Sequence, residues 1–163
     1  MQKIDGCNIQ TAKSTDEIYA NIRENVKLDI KDLTDSYAWR ENVKIALVGG
    51  GPSLKNSDIL DLLATYKYII ACGSVHDYLI DKGINPHYCV VCDPDEIMLN
   101  YLQRESLHTT YFLASQCHPK VFEHLKKYPG LIWHAGGYIF NPSPYGENKV
   151  GIGGGCTVGT RAI

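Results

Sequence analysis

The residues whose types and spacing could do chemistry begin at 43–56, where an apolar run, Val-Lys-Ile-Ala-Leu-Val, breaks into Gly49-Gly50-Gly51-Pro52-Ser53 before a helical pattern. A β-branched strand that feeds three glycines presents backbone N–H groups to whatever sits above the turn, and phosphate oxygens are the usual guests. A bare βα turn would explain glycine only through positive φ. No Lys-Ser or Lys-Thr follows at P-loop spacing and Gly-x-Gly-x-x-Gly is absent, so neither a Walker-type ATPase nor an ordinary NAD enzyme fits.

Further small, polar and acidic groups follow later apolar runs: Gly73 and Ser74, Asp93 and Asp95, Ser115 and Gln116, Gly136 and Gly137. Asp93-Pro94-Asp95-Glu96 has two readings. Asp93 can be an N-cap with Pro94 at the first helical position, or it can hold Mg²⁺ beside a phosphate, where diphosphate transfer needs charge neutralisation. On the second reading Asp93 is a metal ligand and Asp93 and Asp95 are catalytic candidates. His118 and His134 sit in strand-end loops and could move a proton near neutral pH; His118 is taken as the candidate. A second glycine-rich turn, Gly153-Gly154-Gly155-Cys156-Thr157-Val158, opens another helical pattern, and a helix N-terminus favours anions. Cys89-x-x-Cys92 lacks a second pair and is read as buried packing. Tyr138 and Tyr145, in the Gly-, Pro- and Tyr-rich segment 135–149, could stack on a base or pack on the surface.

The elements that must position these groups alternate. Strands are expected over 43–48, 68–72, 87–92, 109–114 and 131–134. Helices are expected over 57–65, over 75–82 with a stop at Gly83, from Asp93 to about Gln103, and from Pro119 to near Tyr128. Ser74 with Asp77 has capping-box spacing, as does Ser14 with Glu17, which opens an N-terminal helix with Ile18, Ile22 and Val26 on one face. Five alternations predict an α/β, Rossmann-like three-layer sandwich with a mostly parallel sheet of five to six strands. In such sheets ligands lie beyond the carboxyl ends of the strands, where the loops above converge. Residues 1–42 read as an N-terminal helical appendage and linker, or an oligomer contact, and 43–163 as the nucleotide-binding domain. The final glycine turn is followed by less than two helical turns, so a truncated chain is expected, its edge covered by further sequence or a second subunit.

The whole composition agrees with one ordinary globular domain: 163 residues, 44% hydrophobic and 21% charged. A formal net charge of −2 offers no footprint for nucleic acid. With neither a signal-peptide pattern nor a membrane-length apolar run, a cytoplasmic protein with reduced thiols is expected.

Four motifs in order, Gly49-Gly50-Gly51-Pro52-Ser53-Leu54, Ala71-Cys72-Gly73-Ser74 with Gly83-Ile84-Asn85-Pro86, Val90-Val91-Cys92-Asp93-Pro94, and 153–158, resemble the MptE-like family. That family includes archaeal 6-hydroxymethylpterin diphosphokinases and motility accessory factors tied to flagellin glycosylation. The first loop is also similar to the nucleotide loop of bacterial sialyltransferases that use a CMP-activated sugar. The resemblance implies a transferase that binds a nucleotide, ATP or a CMP-sugar, and a small acceptor. It places Gly49, Gly50, Gly51, Pro52, Ser53, Gly154, Gly155, Cys156, Thr157 and Val158 around the nucleotide, and Asp93 in the active site; the position of the loops beyond the strand ends adds Gly73, Ser74 and Gln116 as nucleotide-binding candidates. The alternatives are diphosphoryl transfer with Mg²⁺, glycosyl transfer, or nucleotide binding without chemistry. Family members continue beyond the second glycine loop, and that continuation is not present in these residues.

Overall fold

The computed structural model describes residues 13–33, 43–136, 145, 149 and 151–153. The expectations for Gly137, Tyr138, Gly154, Gly155, Cys156, Thr157 and Val158 lie outside the described residues. The element order is α1 (Thr15–Asn25), β1 (Ile45–Val48), a 3₁₀ turn at Pro52–Lys55, α2 (Ser57–Leu63), β2 (Tyr68–Cys72), a 3₁₀ turn at Gly73–Val75, α3 (His76–Asp81), β3 (Tyr88–Val91), a 3₁₀ helix at Glu96–Tyr101, β4 (Thr110–Ala114), α4 (Pro119–Leu125) and β5 (Gly130–Trp133).

All five strands pair in parallel in the order β1-β2-β3-β4-β5, which is a Rossmann-like α/β fold. Beyond β5, two isolated parallel bridges, Asp32 with Ile132 and Ala135 with Ile152, extend the pairing. Parallel crossovers are almost always right-handed, so a sequential order carries successive connections over the same face. The burial pattern shows which face that is. Ala46, Val48, Ile69, Ala71, Cys89, Val91, Tyr111, Leu113 and Ile132 alternate along the strands and are all buried. The opposite face carries Tyr68, Ile70, Tyr88, Phe112 and Leu131, each only partly buried, with Tyr88 stacked on Phe112 at 5.3 Å, and is buried only toward its carboxyl end at Cys72, Val90, Ala114 and Trp133.

Helix α1 has the expected capping box, Ser14 with Glu17, but its inward face is turned from the expected one. Val26 is 37% exposed, whereas Asn25 is buried beside Ile22. Asn21 Nδ2 donates to Pro94 O and Gln116 O at 3.2 and 3.1 Å, and Asn25 Nδ2 donates to Ser115 O and Cys117 O at 2.9 and 2.7 Å. Two amides one helical turn apart thus hold the loops that follow β3 and β4.

Two helix starts differ from expectation. Ser74 and Asp77 make no capping box, because a 3₁₀ turn intervenes and α3 begins without a side-chain cap. Asp77 instead accepts from Gln103 N and Arg104 N. After β3 the N-cap is Asp95, not Asp93, and the element is 3₁₀, not α-helical. Gly83 ends α3 as expected: it has φ +77°, Gly83 N donates to Ile80 O and Ile84 N donates to Leu79 O, both at 2.9 Å. Cys72, Cys89, Cys92 and Cys117 are buried. Among the described residues no helix is long and apolar enough to cross a membrane.

Gly83→Ala puts a Cβ on a left-handed residue and costs about 1 kcal/mol. A urea titration is expected to show that loss with an unchanged m-value, and an unchanged midpoint would contradict the assignment of this turn.

Candidate functional site at the carboxyl edge of the sheet

The glycine loop leaves β1 at Val48 and is fixed at its far end. Gly51 precedes the 3₁₀ turn, Pro52 occupies its first position, and buried Leu54 anchors it, with Tyr78 Oη donating to Leu54 O at 2.9 Å. Asn56 then caps α2 by accepting from Asp58 N. Gly49, Gly50, Gly51, Pro52 and Ser53 are all exposed.

None of these three glycines adopts positive φ, since Gly83 alone does so among the described residues. A Cβ on Gly49 would meet nothing within 4 Å, and one on Gly50 would lie 3.6 Å from Val75 Cγ1 and 3.7 Å from Ser74 Oγ, ordinary contacts. The folded backbone therefore does not require glycine here. What three missing side chains leave is open space beside exposed backbone.

Gly50 abuts the loop after β2. Gly73 is buried, with a Cβ position only 2.7 Å from Met98 Cε. Gly73, Ser74 and Asp93 line one cavity of about 300 Å³, together with Cys72, Cys92 and Tyr101. Asp93 Oδ1 accepts from Asp95 N at 2.9 Å, which fixes the carboxylate at the exposed strand end. Asp95 Oδ1 is engaged with Ile97 N.

The remaining candidates are held in other ways. Gln116 Nε2 donates to Cys92 O at 2.6 Å, tying the β4 loop to the end of β3. His118 caps α4: its Nδ1 accepts from Lys120 N at 3.2 Å, and its Nε2 lies 3.8 Å from Glu96, which also pairs with Lys120. Tyr145 is buried and stacks on His134, ring centroids 4.7 Å apart, so its ring already has a partner. A second cavity, about 660 Å³, lies away from the glycine loops between α1 and α4, over Tyr111 and Leu113. It is larger but mostly apolar, and none of the glycine-loop groups reaches it.

At the end of β5 the sequence marked His134 but not its partner Asp32. Asp32, 3% exposed, accepts from His134 Nε2 at 3.1 Å and pairs with Lys149 Nζ at 2.8 Å. Burial lowers the His134 pKa below its ordinary value near 6.5, against the opposing pull of Asp32. His76 is shifted the same way, again chiefly by burial, between Asp77 and Tyr111. The sequence offered no periodic signal for Asp32, which lies outside the regular elements and 102 residues from His134.

A family model described as 6-hydroxymethylpterin diphosphokinase MptE-like matches residues 16–163. Among solved structures, the chain is similar to the structure of a MAf glycosyltransferase from Magnetospirillum magneticum AMB-1, with TM-score 0.64 and 18% identity, over 94% of this chain and 26% of that one. At that identity the likeness is one of fold, and the chain spans about a quarter of the other's length. A search of curated proteins returns no match.

Because both buried histidines have lowered pKa values, the unfolded chain binds protons that the folded chain refuses. Their stabilising contribution is complete above the unfolded value near 6.5 and is lost as pH falls through the folded values. Urea midpoints are expected to decline between about pH 7.5 and about pH 5.5, and a flat or rising profile would contradict the neutral assignment.

Proposed function

The chain belongs to the 6-hydroxymethylpterin diphosphokinase MptE-like family, and from that premise we propose that it is a transferase which binds a nucleotide at the carboxyl edge of β1, β2 and β3. The reaction is diphosphoryl transfer from a nucleoside triphosphate to a small hydroxymethyl acceptor. The single observation that supports this reading is the glycine loop, whose three exposed glycines answer to no conformational need of the chain itself. Side-chain-free backbone at a sheet's carboxyl edge suits close approach by phosphate oxygens.

In the proposed step the acceptor hydroxyl oxygen attacks the β-phosphorus, the bond from that phosphorus to the α–β bridging oxygen breaks, nucleoside monophosphate departs, and the hydroxyl proton goes to solvent. The chain's own contribution is positioning and amide hydrogen bonds to the phosphates. Among the described residues no three His, Cys, Asp or Glu side chains group to hold a metal. One exposed carboxylate, Asp93, fits the way Mg²⁺ is held when substrate phosphates supply most ligands. Mg²⁺, when bound, neutralises phosphate charge. Similarity in fold to a MAf glycosyltransferase favours a second reading, in which the same loops hold a sugar nucleotide for glycosyl transfer.

Calorimetric titration with ATP and with CMP, with and without Mg²⁺, tests both. Magnesium-dependent ATP binding supports diphosphoryl transfer, metal-independent CMP binding supports the glycosyl reading, and no binding to either defeats both. Gly50→Val is expected to lower nucleotide affinity at least tenfold, about 1.4 kcal/mol, while thermal stability stays close to the parent's. Undiminished affinity would show that the loop is only a turn.

A further inference from the structure

Among the described residues, the buried side-chain polar atoms left without a hydrogen-bond partner are Asn25 Oδ1, Ser115 Oγ and His134 Nδ1. The three residues are 1%, 0% and 2% exposed. Their placement is not scattered. Asn25 Nδ2 donates to Ser115 O at 2.9 Å, and Ser115 N donates to Trp133 O at 2.8 Å. Pairing of Ala114 with Trp133 makes Ser115 and His134 the next rung of the parallel ladder. Side chains alternate along a strand, so both continue the face that carries Leu113 and Ile132, the face on which Asn25 lies.

The hydrogen-bonding capacities of the three atoms are complementary to one small molecule. Asn25 Oδ1 can only accept. His134 gives its Nε2 hydrogen to the Asp32 carboxylate, so in the neutral ring Nδ1 can only accept as well. Ser115 has one hydrogen to give. Water supplies two hydrogens for the two acceptors and a lone pair for the hydroxyl, satisfying the set with three bonds, the usual number for buried water. Asn25 borders the larger cavity, but neither Ser115 nor His134 lines either cavity described above, so the space shared by the three atoms is separate from both.

Ser115, His134 and Asp32 are also the residue types of a serine nucleophile relay. Their burial argues against that use, because a hydroxyl with no exposed surface cannot meet a substrate.

We propose that Asn25, Ser115 and His134 enclose one structural water between α1 and the ends of β4 and β5. This water completes a polar chain that runs inward from exposed Lys149 through buried Asp32 and His134 to the water and Asn25, joining the N-terminal helix to the last strand of the sheet. The same helix holds the loops after β3 and β4 through Asn21 and Asn25, so the water gives that clamp a third point of attachment.

A high-resolution crystal structure of this chain is expected to show one ordered water within hydrogen-bond distance of all three atoms. Absence of that water, or direct bonding among the three side chains, would overturn the proposal. In solution, ¹⁵N-labelled His134 is expected to carry its proton on Nε2 and to show an Nδ1 resonance displaced from that of an unbonded acceptor, with a cross-peak to long-lived water. An undisplaced Nδ1 resonance or a missing cross-peak would count against it. In Ser115→Val, whose methyl fills the hydroxyl's place, the cross-peak is expected to vanish while the folded spectrum remains; its persistence in that variant would overturn the assignment. Labelling of Ser115 in the parent chain by a fluorophosphonate probe would show an accessible nucleophile instead of a closed water site.

Discussion

Parallel pairing is the constraint from which the remaining structure follows. When five strands run the same way in sequential register, each loop that leaves a strand emerges on one edge, and each return must cross the sheet. The glycine loop, Gly73-Ser74 and Asp93 are therefore neighbours although up to 44 residues separate the outermost of them. The same order carries the connections over one face. That face is uniformly buried, while the other presents half-covered aromatics such as Tyr88 and Phe112.

An edge assembled from loops needs those loops to be held. Backbone carbonyls at strand ends have no ladder partner, and each left buried and unpaired costs about 1–3 kcal/mol. Asn21 and Asn25 answer four such carbonyls from one helix face, and Gln116 answers a fifth at Cys92. Helix α1 is thus bonded to the same loops that line or flank the smaller cavity. That cavity is preferred over the larger one because polar and small groups from two neighbouring strand ends meet there, beside the glycine loop. The larger one is floored by Tyr111, Leu113 and Phe122, which already form part of the core.

Much of this was legible in the residues. Apolar runs between glycine-bearing turns marked all five strands to within one or two positions, because β-branched strands bounded by turn residues have few alternatives. Gly83 was legible because a helix ending in glycine uses its positive φ. The failures share a cause. Capping-box spacing at Ser74 and Asp77 says what those side chains could do locally, but Asp77 has two backbone amides to satisfy at Gln103 and Arg104, which only the tertiary fold brings near. The N-terminal helix was read by its apolar periodicity, which selected Val26. The true inward face is set by Asn25, a polar residue whose partners lie about 90 positions away. Asp32 with His134 was invisible for the same reason. Residue type marks groups that could act, and long-range pairing decides which ones are already engaged.

The central claim is that a nucleotide sits over the loops following β1, β2 and β3. Backbone amide shifts of ¹⁵N-labelled protein, followed during addition of ATP with Mg²⁺ or of CMP, test it most directly. The account predicts that Gly49, Gly50, Gly51, Ser74 and Asp93 move together with one saturation curve while Leu28, Ile30 and Phe122 stay still. Shifts centred on those last three residues, around the apolar cavity between α1 and α4, or no shifts with either nucleotide, would contradict it.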